Sequence, residues 1–213
     1  TNVVGISDLG NGTGDFSFGD DATITATAGT NADAVNVDAS ATSTAGAADA
    51  EVDVDAVAGI LDAQDSTAGS NAIEVGNGGS ITATAYGDFD ATASSTDGNA
   101  AGDTFLANVS GVQADTIEVG NNGVVQAQAN TLSDVSATTV DGSADANQTL
   151  TQTKGLDLEV LTVGNDALKT GSYGILGRTD ATLNTTAQST GDVIAEDANA
   201  DGQLNEAFGL ELG

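Results

Sequence analysis

The stretch of this chain best equipped for chemistry is Asp197 to Asn205, DANADGQLN. Oxygen-bearing side chains fall at alternate positions, Asp197, Asn199, Asp201, Gln203 and Asn205, with Gly202 in the sixth place and Glu206 just beyond. Carboxylate and amide oxygens at that spacing suit a hard cation such as Ca2+, which takes roughly six to eight oxygen ligands, and glycine permits the sharp bend that converges them. The twelfth position, where a bidentate acid closes such a loop, is Phe208, so Glu206 is left to substitute by a different geometry. The expectation is a Ca2+ site built from Asp197, Asn199, Asp201, Gln203, Asn205 and Glu206; the competing reading is an acidic, Asn/Gly-rich surface turn with no ion.

Other chemistry lacks its reagents. The chain has no His and no Cys, which removes imidazole bases, thiolate nucleophiles and disulfides. Its cations are Lys154, Lys169 and Arg178, and no motif surrounds a Ser-Lys pairing. The carboxylate pairs Asp53/Asp55 and Asp88/Asp90 have a glycosidase-like composition, but their recurrence on alternating strands favours a solvated acidic face. No phosphate-binding GxxxxGK[ST] occurs. We expect no enzyme, no catalytic residues and no cofactor beyond Ca2+. With 3 Lys+Arg against 32 Asp+Glu the net charge is -29, which repels nucleic acid and anionic membranes and attracts divalent cations. No apolar run reaches the roughly 18 residues of a membrane span. With no Met anywhere, Thr1 reads as a processed or excised start, compatible with a preceding signal peptide.

The elements that must position these groups are set by an internal repeat. IEVGNGGSITATA from Ile73 recurs as IEVGNNGVVQAQA from Ile117 and more loosely as LTVGNDALKTGSY from Leu161, at a spacing of 44 residues each time. FSFGDDATITATA begins at Phe16, 57 residues before Ile73, which is one period plus a 13-residue insertion. Alternation of period two marks strands. Ile81, Ala83, Ala85, Gly87, Phe89, Ala91 and Ala93 keep one phase, and a shift of 44 gives Val125, Ala127, Ala129, Thr131, Ser133, Val135 and Ala137. Ile24, Ala26 and Ala28 oppose Thr23, Thr25 and Thr27, and Val52 and Val54 oppose Asp53 and Asp55. Turns fall at Asp97-Gly98-Asn99, Asn121-Asn122-Gly123 and Asp141-Gly142. Glycine followed by an aliphatic recurs at Gly5, Gly59, Gly111, Gly155 and Gly209, and the apolar phase slips between Val160 and Leu161 as at a corner. Phe89 and Phe105 are the best aromatic core plugs. The rows Thr23/Thr25/Thr27 and Thr82/Thr84 suggest an ice-binding array, which Gln126 and Gln128 interrupt.

These features predict one all-β repeat domain over residues 1–213, in units of approximately 16–72, 73–116, 117–160 and 161–213. A parallel β-solenoid of period about 44, with roughly 22 residues per coil, accounts for corners and spacing. The long in-phase runs leave an antiparallel β-sandwich or long-hairpin sheet as the alternative. GNGGSITATA, with its Gly/Asn corner and alternating small residues, resembles the β-solenoid repeats of bacterial surface adhesins of the filamentous haemagglutinin type, and DANADGQLN resembles EF-hand and dockerin loops. The first resemblance implies an elongated extracellular shaft used for adhesion or assembly, with no catalytic residues to transfer.

The functional expectation is a secreted or cell-surface structural protein, a self-assembling subunit of a filament, sheath, surface layer or adhesin shaft. Val4-Gly5-Ile6 and Phe208 to Gly213 would serve as open edges for head-to-tail polymerisation with further copies. The alternative is a monomeric calcium-dependent module that binds carbohydrate or ice, or a phage fibre segment.

Overall fold

Thr, Val, Ile and Ala at alternate positions, with no Pro to interrupt a ladder, commit the chain to extended backbone. The computed structural model describes residues 2–8, 16–30, 32–62, 72–163, 174–190 and 198–212. Among them run β1 (Asn2–Asp8), β2 (Phe16–Phe18), β3 (Thr23–Ala28), β4 (Val35–Ser43), β5 (Ala48–Asp62), β6 (Ala72–Val75), β7 (Ser80–Asp97), β8 (Ala100–Val119), β9 (Val124–Asp141), β10 (Ala144–Val163), β11 (Gly174–Ser189) and β12 (Ala198–Leu212). A larger sheet has the order β1-β5-β8-β10-β12, with β6 also paired to β8 and β2 to β6. The smaller sheet has the order β11-β9-β7-β3, with β4 also paired to β7. Every one of these pairings is parallel. From β7 to β12 successive strands go to opposite sheets, so sheet neighbours are two elements apart in sequence.

The 44-residue spacing is the register between neighbours: Ala100↔Ala144 joins β8 to β10, and Ser80↔Val124 joins β7 to β9. At the first unit the offset is 57 between β3 and β7, 52 between β4 and β7, 52 between β5 and β8, and 44 again between β6 and β8. The 13 extra residues are therefore split, five between β3 and β4 and eight between β5 and β6. The loose copy at Leu161 aligns only as far as Val163↔Val119; the next paired residue is Gly174, opposite Val124. The turns are those expected from sequence. Gly98 and Gly142 lie at φ 142° and 149°, and Asn122 takes the left-handed region at φ 59°. Polar side chains link successive turns: Asn77 donates its backbone N–H to Asp20 Oδ1 (2.8 Å), and Asn121 donates its own to Asn77 Oδ1 (2.9 Å).

The recurring glycines form one column across the larger sheet. Registers on either side place Gly5 beside Gly59, Gly59 beside Gly111, Gly111 beside Gly155 and Gly155 beside Gly209. A Cβ on Gly111 would lie 2.6 Å from Gly155 O, 2.7 Å from Gln128 N and 2.9 Å from Ala127 Cβ; on Gly59 it would lie 2.9 Å from Thr84 N, and on Gly5 2.8 Å from Thr27 N. The column is thus where the two sheets touch backbone to backbone. The core is divided at this line. One cluster holds Val52, Val54, Phe89, Leu106, Val135 and Leu150; the other holds Ile60, Ile73, Ile81, Val112, Ile117 and Leu156. Alanine fills much of the rest, and at about 0.8 kcal/mol per buried methyl-sized group it stabilises weakly. The ladders and the few large side chains therefore carry most of the cohesion. Phe89 is fully buried as expected, whereas Phe105 is 48% exposed on the outer face of the larger sheet.

Several expectations are corrected here. The fold is all-β, but its architecture is two parallel sheets packed into a compact globular domain, not an elongated periodic solenoid of roughly 22-residue coils. Each 44-residue unit spends its residues on one long strand in each sheet, as Ser80–Asp97 and Ala100–Val119 show. The antiparallel sandwich or long-hairpin alternative fails because the paired strands are parallel and the turns at Gly98 and Asn122 lead from one sheet into the other. Nor does the architecture support the filament, sheath, surface-layer or adhesin-shaft reading, or head-to-tail polymerisation with further copies. The segments assigned to that role are used inside the chain: Val4 and Ile6 pair with Ala58 and Ile60, and Leu210 and Leu212 pair with Leu156 and Leu158. Their contacts close a single folded domain.

Candidate functional site

The outer face of the smaller sheet presents the side chains that alternate with the buried Ile81-to-Ala93 and Val125-to-Ala137 series. Because β7, β9 and β11 pair in unbroken register from Ser80↔Val124↔Gly174 to Ser95↔Thr139↔Ser189, these outward residues line up in ranks across the strands. In order along the sheet the ranks are Thr82/Gln126/Leu176, Thr84/Gln128/Arg178, Tyr86/Asn130/Asp180, Asp88/Leu132/Thr182, Asp90/Asp134/Asn184 and Thr92/Ser136/Thr186. Asn36, Asp38 and Ser40 of β4 extend the last three.

Three shallow hollows of about 260, 250 and 190 Å³ follow one another along β9. The first lies among Thr82, Thr84, Gln126, Gln128, Leu176 and Arg178, the second among Tyr86, Asp88, Asn130, Leu132, Asp180 and Thr182, and the third among Asp90, Thr92, Asp134, Ser136, Asn184 and Thr186. From Gln126 to Ser136 the strand rises about 33 Å, so the three hollows form a row, or furrow, of about that length. A further hollow of about 270 Å³ lies at the turns, lined by Phe18, Glu74, Val75, Asn77, Glu118 and Val119. It stands apart from the furrow and offers a narrower set of polar groups.

Hydrogen bonds fix several furrow side chains. Gln128 Nε2 donates to Asn130 Oδ1 (3.3 Å), Ser136 Oγ to Thr92 Oγ1 (3.3 Å), and Asn184 Nδ2 to Asp134 Oδ1 (2.5 Å). Asp38, Asp90 and Asp134 stand side by side on three neighbouring strands, with Asp88 one rank away. Burial, followed by repulsion from Asp134 and Asp38, pushes the Asp88 carboxyl above the usual carboxylate range. Asp90 is raised by burial and then by Asp88, Asp134 and Asp38, partly offset by a backbone hydrogen bond at Asp134. One oxygen of each, Oδ1, is shielded from solvent and accepts no hydrogen bond. The furrow thus combines amide donors and acceptors, hydroxyls, a phenol, two exposed leucines and a carboxylate-rich end, with Arg178 at the other. That assortment suits a polyhydroxylated ligand, which needs many modest polar partners and some apolar surface.

The residues expected to bind Ca2+ are placed differently. Asp197 lies outside the described residues. Asn199, Asp201, Gln203 and Asn205 occupy alternate positions of β12, paired along their length with Asp145 to Leu150 and beyond, and all are exposed. Alternate residues of a strand are about 6.6 Å apart, so four of them extend over about 20 Å instead of converging on an ion whose ligands sit about 2.4 Å away. Glu206 is engaged elsewhere: its Oε2 lies 3.3 Å from Lys154 Nζ and accepts from Gln152 Nε2 at 3.3 Å. Among the described residues no group of three or more acidic side chains is gathered closely enough to hold a metal ion. Asp53 and Asp55 sit exposed on β5 of the larger sheet, whereas Asp88 and Asp90 belong to the furrow. Lys169 lies outside the described residues. The Thr rows are interrupted as expected, since Thr25, Thr82 and Gln126 share one rank and Thr27, Thr84 and Gln128 the next.

Sequence reasoning named Asp88, Asp90, Thr82, Thr84, Gln126, Gln128 and Arg178 separately but did not assemble them into one surface, although a signal was present. The 44-residue shift that aligns the inward series also sets Tyr86 beside Asn130 and Asp90 beside Asp134. Among the described residues no helix is long and apolar enough to cross a membrane. Comparison with protein-family models, with curated proteins and with solved structures finds no match, so the likeness to filamentous-haemagglutinin repeats, which the two-sheet architecture already contradicts, has no support from any relative.

Proposed function

We propose that this domain is a monomeric, non-catalytic binding module that acts outside the cell and takes a carbohydrate chain along the outer face of the smaller sheet. The observation that carries the reading is the row of three hollows along β9, whose outward residues over about 33 Å are amides, a hydroxyl and a carboxylate with Leu132 among them. A repeating row of partners matches a repeating ligand, and short side chains on paired strands are held without further ordering cost. The absence of His and Cys from the sequence removes imidazole and thiolate chemistry.

The test is isothermal titration against a panel of soluble polysaccharides, each in millimolar calcium and in EDTA, with sedimentation to establish the state of the protein. Binding by a monomer that Leu132→Arg abolishes supports the reading, because Leu132 is exposed and its replacement obstructs the furrow without touching the core. No heat with any polysaccharide overturns it. Equal affinity in calcium and EDTA sets aside the calcium dependence expected from the sequence.

A further inference from the structure

We infer that the ligand is a straight, ribbon-like, uncharged glycan: a β-linked polymer whose sugars are joined through equatorial bonds, as in cellulose, xylan or mannan chains. The inference rests on the carbohydrate reading and specifies the class of polymer.

The shape of the floor is the first ground. The pairing of β7 with β9 and of β9 with β11 runs from one end of the furrow to the other without a bulge. A bulge is the device that bends a strand and re-aims its side chains. The ranks of side chains therefore keep one register and one spacing along the strands, and a ligand that meets every rank is itself extended. A coiling α-glucan would meet it only at intervals, whereas an equatorially linked chain stays in contact along its length.

The second ground is the absence of walls. The hollows are shallow and open, bounded by Thr, Asn, Asp and Gln side chains and not by a closed pocket. Such a surface grips the broad side of a chain in mid-length and has no cup for a chain end.

The third is the chemistry of that broad side. A pyranose with equatorial hydroxyls carries C–H bonds on its faces and hydroxyls around its edge. Tyr86, Leu132 and Leu176 offer apolar area among amides and hydroxyls, with Leu132 37% and Leu176 40% exposed, and an aromatic or aliphatic side chain against the C–H face with polar partners at the edge satisfies both surfaces.

Charge supplies the exclusion. Asp88, Asp90, Asp134 and Asp180 face the furrow, and Asp38 adjoins it. Burial and mutual repulsion already disfavour ionised Asp88 and Asp90. A uronate or sulfated polymer would add anions to the same surface.

The experiment is affinity electrophoresis of the intact domain and of Leu132→Arg through gels containing hydroxyethylcellulose, xylan, galactomannan, amylose or polygalacturonate, followed by titration with cello- and malto-oligosaccharides of increasing length. Retardation by at least one of the first three, lost in Leu132→Arg, is expected, together with affinity that rises with oligosaccharide length and favours the cello over the malto series by about tenfold or more. Equal or tighter binding of amylose, malto-oligosaccharides or polygalacturonate overturns the inference while leaving the carbohydrate reading intact. Retardation by none of the five polymers overturns both. Binding that Leu132→Arg does not weaken places the glycan elsewhere and overturns the inference as well.

Discussion

The glycine column allows a sharp test of how the two sheets meet. In Gly111→Ala the new methyl group faces Gly155 O at 2.6 Å, Gln128 N at 2.7 Å and Ala127 Cβ at 2.9 Å. Real Cβ contacts are essentially never shorter than 3.0 Å, so something must shift. Two of the three obstacles are backbone atoms of paired strands, which cannot swing aside as the end of a flexible side chain can. Overpacking costs about 1–3 kcal/mol, and rigid obstacles place this substitution near about 3 kcal/mol. In a chain of this size each kcal/mol lowers the melting temperature by about 2–4 °C, giving a drop of about 6–12 °C. Gly19→Ala is the control. No atom lies within 4 Å of its added Cβ, so its effect should stay below about 1 kcal/mol in either direction. Urea unfolding followed by circular dichroism measures both free energies, with thermal melts alongside. Gly59→Ala, whose Cβ would meet Gly111 O at 2.6 Å, should resemble Gly111→Ala, and the double variant should lose less than the sum because the two sites adjoin. If Gly111→Ala and Gly19→Ala unfold together, the sheets do not make backbone contact at this column and the division of the core is wrong.

Acidity should stabilise the furrow. Asp88 and Asp90 have folded-state pKa values raised above their unfolded value of 3.8, so the folded state binds protons more readily; their unfavourable contribution is fully present above the folded pKa and fades as pH falls toward 3.8. In low salt the melting temperature should therefore rise as the pH is lowered from 8 toward 4, and Asp90→Asn should narrow the gain; an unchanged gain in that variant would exclude the aspartate row as its source. Sodium chloride should raise the pH 8 melting temperature by screening the same carboxylates, with a smaller gain in Asp134→Asn. The buried hydroxyls of Thr104 and Ser133, 3% and 0% exposed, accept and donate no hydrogen bond, so Thr104→Val and Ser133→Ala should each gain about 1 kcal/mol in urea unfolding. Lys154 is buried with its ammonium 3.3 Å from Glu206, and Glu206→Ala, which removes that counter-charge while keeping the buried cation, should destabilise more than Lys154→Met, which removes the cation itself; the reverse order would show that the ion pair does not govern the site.

What the sequence made legible was whatever depends on alternation within one strand. All seven inward positions from Ile81 to Ala93 and all seven from Val125 to Ala137 are buried, because a period of two has a single solution once one face is apolar. The turns at Gly98, Asn122 and Gly142 were readable for the same local reason, since residues tolerant of positive φ mark them. Phe105 was misjudged because aromatic size says nothing about which side of β8 it occupies, and that side is set by the neighbours Leu106 and Thr104. DANADGQLN looked like a loop because Asp, Asn and Gly favour turns, yet most of it lies in β12 beside β10; long-range pairing prevailed over local preference. Parallel pairing itself was hidden, because alternation is the same in either strand direction. The furrow needed Tyr86, Asn130 and Asp180 to be read as neighbours, which takes two register shifts, of 44 and then 50 residues, and the second is masked by the irregular length of the last unit.

The uneven spacing has a consequence of its own. Register offsets of 44, 50, 52, 54 and 57 occur in one chain, yet the inward and outward faces stay in phase on every strand of the smaller sheet. Length gained between β3 and β4, between β5 and β6, or between β10 and β11 is absorbed before the next strand begins. Chain length and surface chemistry are therefore independently adjustable in this architecture. A segment spliced in at any of those junctions leaves the furrow's ranks of side chains aligned, whereas one residue added inside β9 would turn every following side chain inside out.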